Sequence, residues 1–150
     1  MSKFIQFLFF AFFVANKFEK SFANSVTCEK IADINWSHIG TQKACHIGQN
    51  SVIESPGYTV QWDKDDTITA FNLAGNKNIF YLPDKVSENF TKLLTYGAHD
   101  CGVKVIRKSN FAGMSMVKAL FLYNNRIEKV PSDAFEDMKA LIWVYLCKKI

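Results

Sequence analysis

The sequence lacks the arrangements on which catalysis most often rests. It has no glycine-rich loop of the phosphate-cradling kind, no Gly-x-Ser-x-Gly and no His-Glu-x-x-His. Four cysteines and three histidines are present, but none stands in a CxxC or HxxxH spacing, so the usual zinc frameworks are absent too. Past the first fifteen residues no apolar run approaches the length that spans a bilayer. Net charge is also small. Of the formal +4, the N-terminal Lys3, Lys17 and Lys20 against Glu19 supply +2. The pI of 8.8 is therefore a poor argument for nucleic acid or an anionic membrane as partner.

What is present is apolar. Hydrophobic residues make up 49% of the 150-residue chain and charged ones 21%, enough for one domain with a buried core and outside the range of disorder. The opening, MSKFIQFLFFAFFVANKFEKSFANS, joins Lys3 to an apolar run from Phe4 to Ala15 and then to small and polar residues. A basic start, a short apolar stretch and a small-residue exit describe a secretory signal peptide over residues 1–23, ending at Ala23, with Ala15 the other small-residue exit. The run is short for a retained membrane anchor; an uncleaved anchor or a buried helix is the other reading. The expected product is exported and extracellular, with no membrane span once the signal is removed.

The rest of the chain has a mixed rhythm. Val117, Leu120, Leu122, Asn125, Ile127, Val130, Phe135 and Met138 set a template. Twenty-four residues downstream, Leu141, Val144 and Leu146 fall on its first three positions. Twenty-four upstream, Leu93, Tyr96, Ala98, Cys101, Val103, Ile106, Phe111 and Met114 fall on all eight. One unit earlier, Ile68, Phe71, Leu73, Asn76, Ile79, Leu82 and Phe90 follow with one residue inserted after Asn76. Self-similarity at such a period marks a solenoid. The units are 68–92, 93–116, 117–140 and a partial 141–150. In each, a short strand such as Leu120–Leu122 would point alternate side chains inward and stack into a parallel sheet. Asn76, Cys101 and Asn125 follow the strand and would form a ladder against the backbone of neighbouring coils. SDAFEDM, after Pro131, predicts a short helix capped by Ser132 or Asp133. A single amphipathic helix over 132–146 is the competing reading, but it leaves three in-phase units unexplained.

The stretch VKALFLYNNRIEKVPSDAFEDM resembles the leucine-rich repeat of the typical extracellular class, LxxLxLxxNxIxxIPxxxFxxL. The resemblance covers Ile68 to the end of the chain. It implies an α/β fold: a horseshoe solenoid with a parallel sheet on the concave face, loops and short helices on the convex face, and a small N-terminal disulfide cap. Cys101 at a ladder position is a departure the pattern tolerates, and reads as a buried, inert thiol. Lys149 at the last ladder position is a second. An array that continues, or that pairs at its C-terminal edge beside Cys147, would account for it.

The resemblance gives residues 24–67 the role of the cap, and implies a Cys28–Cys45 disulfide worth roughly 3 kcal/mol in chain entropy. The runs VIES and YTVQW would pair as strands against the first unit, with Trp36 and Trp62 plugging the coil's end. Two glycosylation sequons, at Asn89 and Asn35, agree with export. Asn89 is the stronger, because its third residue is Thr and it falls on the outer back of a coil.

The exposed positions of the strands are Thr69, Ala70, Asn72, Ala74 and Gly75, then Leu94, Thr95, Gly97, His99 and Asp100, then Lys118, Ala119, Phe121, Tyr123 and Asn124, then Ile142, Trp143, Tyr145 and Lys148. They change from small to aromatic along the array. As a concave face they offer His99, Asp100, Lys118, Phe121, Tyr123, Trp143 and Tyr145 to a protein ligand or receptor, since clustered exposed aromatics serve interfaces as anchors. The same rings would otherwise cover the open C-terminal edge. The expectation is thus a non-catalytic binding protein of the cell surface, matrix or innate defence, with no cofactor and no metal. The rivals are an assembly fragment that dimerises or joins a larger array through that edge, and a small hydrolase built on His99 and Cys101. Cys45, His46 and His38 are the nearest approach to a metal site, but a disulfide would consume Cys45.

Overall fold

A computed structural model describes residues 24–37 and 39–146. The expected signal peptide, His38, and Cys147, Lys148 and Lys149 lie outside the described residues. The chain is a parallel-sheet solenoid with few helices. It opens with β1 (Ser25–Val26) and a long hairpin, β2 (Cys28–Trp36) and β3 (Gly40–Ile47), then β4 (Thr59–Val60). One three-residue strand per coil follows: β5 (Ala70–Asn72), β6 (Thr95–Gly97), β7 (Ala119–Phe121) and β8 (Trp143–Tyr145). The main sheet runs β2-β3-β5-β6-β7-β8, antiparallel only between β2 and β3.

Register explains why the spacing works. Ala44, Ala70, Thr95, Ala119 and Trp143 form one row across the sheet, at steps of 26, 25, 24 and 24 residues. The next row, Cys45, Phe71, Tyr96, Leu120 and Val144, points the other way, into the coil. Behind it Ile68, Leu73, Ile79, Val103, Val117 and Leu122 are all fully buried. Aromatic rings continue through the interior: Phe71 to Tyr96 at 5.3 Å, Tyr96 to Phe111 at 5.6 Å and Phe111 to Phe135 at 5.4 Å.

The expected ladder positions face this backbone. Asn76 Nδ2 donates to the carbonyls of Gly48 and Ser51 in the preceding segment. Cys101 Sγ donates to Leu73 O at 3.2 Å. Asn125 Nδ2 donates to Ala98 O and Leu122 O, while its Oδ1 accepts from the Val103 N–H. The residue just before each has a positive φ: Gly75 at 83°, Asp100 at 56° and Asn124 at 56°. Each coil therefore leaves its strand through a left-handed turn, which Gly, Asn and Asp tolerate best.

Three local expectations need correction. SDAFEDM forms turns, with Ala134 N–H on Pro131 O and Glu136 N–H on Asp133 O, instead of a helix. The back of this coil must reach Leu141 in few residues, and three-residue closures serve that better than an α-helix. Helical turns occur in the two earlier coils, as α1 (Val86–Asn89) and a 3-10 turn at Lys108–Phe111. Second, YTVQW pairs as a strand with β1, in parallel, and meets the first coil through a Thr59–Asp84 bridge and the Asn89 side chain on Trp62 O; VIES contributes one bridge, Ile53–Ile79. Third, Trp62 packs against the core, but Trp36 does not plug the coil's end: it lies on the other side of the sheet.

The Cys28–Cys45 disulfide is present and ties β2 to β3. Within the described residues no helix is long and apolar enough to cross a membrane.

Candidate binding face

The outward side of the sheet carries the rows Ala44-Ala70-Thr95-Ala119-Trp143 and His46-Asn72-Gly97-Phe121-Tyr145. All seven residues expected to bind a ligand lie on it or just beyond its strand ends. They divide into two groups.

The first is a stack. Phe121 and Tyr145 lie face to face at 4.9 Å, 4° from parallel, as adjacent strands in register require. Trp36 stacks on the same Phe121 at 4.7 Å. Trp36 belongs to the hairpin end, so that end must fold across β5 and β6 to reach β7. The crossing is possible because the residue beneath is Gly97: a Cβ there would sit 2.8 Å from the indole's Cη2. This contact overturns the open face expected from the sequence. Ala70, Thr95, Gly97 and Ala119 point outward, as expected, yet all four are buried. At Gly97 the missing side chain is what lets the indole lie so close.

The second group sits at the strand exits. The His99 and Tyr123 rings stack at 4.5 Å. His99 Nδ1 lies 2.9 Å from Asp100 Oδ2, and Asn124 Nδ2 donates to Asp100 Oδ1 at 2.9 Å. These two hydrogen bonds, His99's first, hold the Asp100 carboxyl below its ordinary range. Burial, and then the Asp100 charge, push the Tyr123 phenol up. Lys118 and Trp143 stand at the opposite, entry end of the strands: Lys118 is exposed just before β7, and Trp143 is half-buried next to Ala119.

The hairpin covers its strip at a cost. Trp36 Nε1, both side-chain polar atoms of Gln42 and Thr95 Oγ1 are buried with no hydrogen-bond partner. Gln42 is 4% exposed and shares the outward side of β3 with Ala44 and His46. Each such atom costs about 1 to 3 kcal/mol, against about 1 kcal/mol for an aromatic stack beyond its burial. Gln42 and Trp36 were not foreseen as face residues. The available signal was a run of small residues at outward positions with nothing in the repeat to explain it.

Other expected sites are placed as follows. His99 turns to Asp100 and Tyr123, while the Cys101 thiol donates inward to backbone carbonyls, so the two do not form a nucleophile and base. Burial raises the Cys101 thiol to about 11. Cys45 is in the disulfide, and no group of three potential metal ligands occurs among the described residues. Asn89 is half-buried, and its Nδ2 donates to Trp62 O; Asn35 is exposed on β2.

No family model matches this chain, and no curated protein matches it either.

Proposed function

We propose that this chain is an exported leucine-rich-repeat protein that binds another protein, without catalysis, through the outward and, in that family, concave face of its sheet. The observation that carries the reading is the aromatic surface at β7 and β8, where Phe121, Tyr145, Trp143 and Tyr123 share one side of the sheet with His99, Asp100 and Lys118. Ring edges and hydroxyls next to one carboxylate, with a lysine at the strand entry, suit a protein surface, where aromatic anchors dominate affinity. The 24-residue period, the Asn ladder and the disulfide-tied hairpin before the first coil support the family reading.

The test is photo-crosslinking of the purified chain to the extracellular proteins of its source, next to a Tyr123→Ala/Tyr145→Ala variant of unchanged thermal stability. A discrete cross-linked species that disappears with the variant supports the face. Identical species from both proteins would sink it.

A second reading is favoured by the β8 edge, where Ile142 is 63% exposed and Val144 39%. Among the described residues β8 pairs with β7 alone. Self-association through that edge predicts a mass that grows with concentration and reverts with Val144→Lys.

A further inference from the structure

We propose that the end of the β2–β3 hairpin is a movable strap, closed in this structure, which a partner must displace to reach the middle of the binding face. Three observations carry it.

The strap is held at few points. Of β3, only Ala44–His46 pairs with β5. Gly40, Thr41 and Gln42 extend past the start of β5, and beyond Lys43, whose carbonyl accepts from Thr69 N–H, contact with the sheet passes to the side chains. The disulfide ties the far end of the hairpin, Cys28 to Cys45, and leaves the Trp36 end to move about that anchor.

The closed position is also poorly satisfied. Trp36 Nε1, Gln42 Nε2 and Oε1 and Thr95 Oγ1 are buried without partners, and all would be hydrated if the strap lifted. Opposing this are the Trp36–Phe121 stack and the burial of the small residues below. Opposed terms of this kind let a closed and an open form exchange.

Finally, the strap occupies what a ligand would want. Trp36 takes one face of Phe121 and fills the notch over Gly97, so only the Tyr145 side of the array is free in the closed form. What lies there is the end of a hairpin, with an aromatic ring from β2 and a carboxamide from β3. A partner that replaces it fits best with the same chemistry: an extended polypeptide segment offering an aromatic side chain to Phe121 and amide groups to Thr95. This consequence for binding rests on the reading above; the strap's movement does not.

The test needs no ligand. Hydroxyl-radical footprinting of the full chain, read by mass spectrometry, reports Trp36 oxidation against Trp62 as internal reference. Gly97→Ala places a methyl against the indole and should raise the Trp36 rate several-fold with Trp62 unchanged. Thr95→Val removes an unpartnered hydroxyl at nearly constant shape, favours the closed form, and should lower the Trp36 rate towards the floor set by its half-buried ring. If either response is missing, or Trp36 and Trp62 change together, the strap is a fixed part of the fold and the proposal fails. If both appear but no partner is ever captured, the strap stands and the binding reading falls.

Discussion

Asn125 donates from Nδ2 to the Ala98 carbonyl of the preceding coil at 2.7 Å and to Leu122 of its own at 2.8 Å, while its Oδ1 accepts from Val103 N–H. One buried amide thus serves three backbone groups in two coils. Asn125→Leu strands all three, with an expected cost of about 3 kcal/mol in denaturant unfolding. Asn125→Cys copies the coil above, where Cys101 donates to Leu73 O, and should recover part of that loss. A Leu variant as stable as the Cys variant would remove the ladder from the account of stability.

The left-handed turn at the strand exit gives a second contrast. Asn124 has φ 56° and donates to Asp100. Asn124→Gly loses the hydrogen bond but keeps the turn; Asn124→Val loses both, and should be less stable than the Gly variant by about 1 to 2 kcal/mol. Thermal melts of the pair decide this, and equal melts would show that the turn relaxes.

Cys101 predicts a pH effect with a definite sign. Burial raises the folded thiol to about 11 from 9.0, so the folded chain keeps its proton to higher pH than the unfolded one. The resulting stability is fully present below about pH 9 and is lost as pH rises towards 11. Cys101→Ala should flatten the fall in stability over that window. At pH 8 the native thiol should alkylate roughly 100-fold more slowly than an unfolded one, read on its own peptide. Rapid native labelling would mean that the coil opens locally.

Tyr96 is fully buried and its hydroxyl has no partner. Burial holds the phenol well above its ordinary pKa. Tyr96→Phe should therefore stabilise the chain by about 1 kcal/mol, with the ring contacts to Phe71 and Phe111 retained. A loss of stability would reveal a hydrogen bond to that hydroxyl.

Much of the coil is legible in residue order, because period, inward rows and ladder positions are all local. Gly75, Asp100 and Asn124 even announce their turn by residue type. The hairpin's course is not local. Nothing near Trp36 states that it will cross two strands to meet Phe121, and the only trace lies far away, in the small residues at 70, 95, 97 and 119. Read alone, those residues look like a bare binding surface. The SDAFEDM turns were hidden for another reason: helix-forming composition does not reveal how little chain the coil leaves for its return.

The Trp36–Phe121 contact also makes the hairpin a ruler. Its length is matched to the number of strands between β3 and β7. Inserting one more 24-residue coil after β6 would keep every ladder and every inward row in phase, yet carry Phe121 one strand spacing, about 4.8 Å, beyond the reach of the indole. Repeat arrays usually change length freely. Here the number of coils between the hairpin and Phe121 is set from outside the repeat, by a side chain more than eighty residues upstream of the coil that it measures.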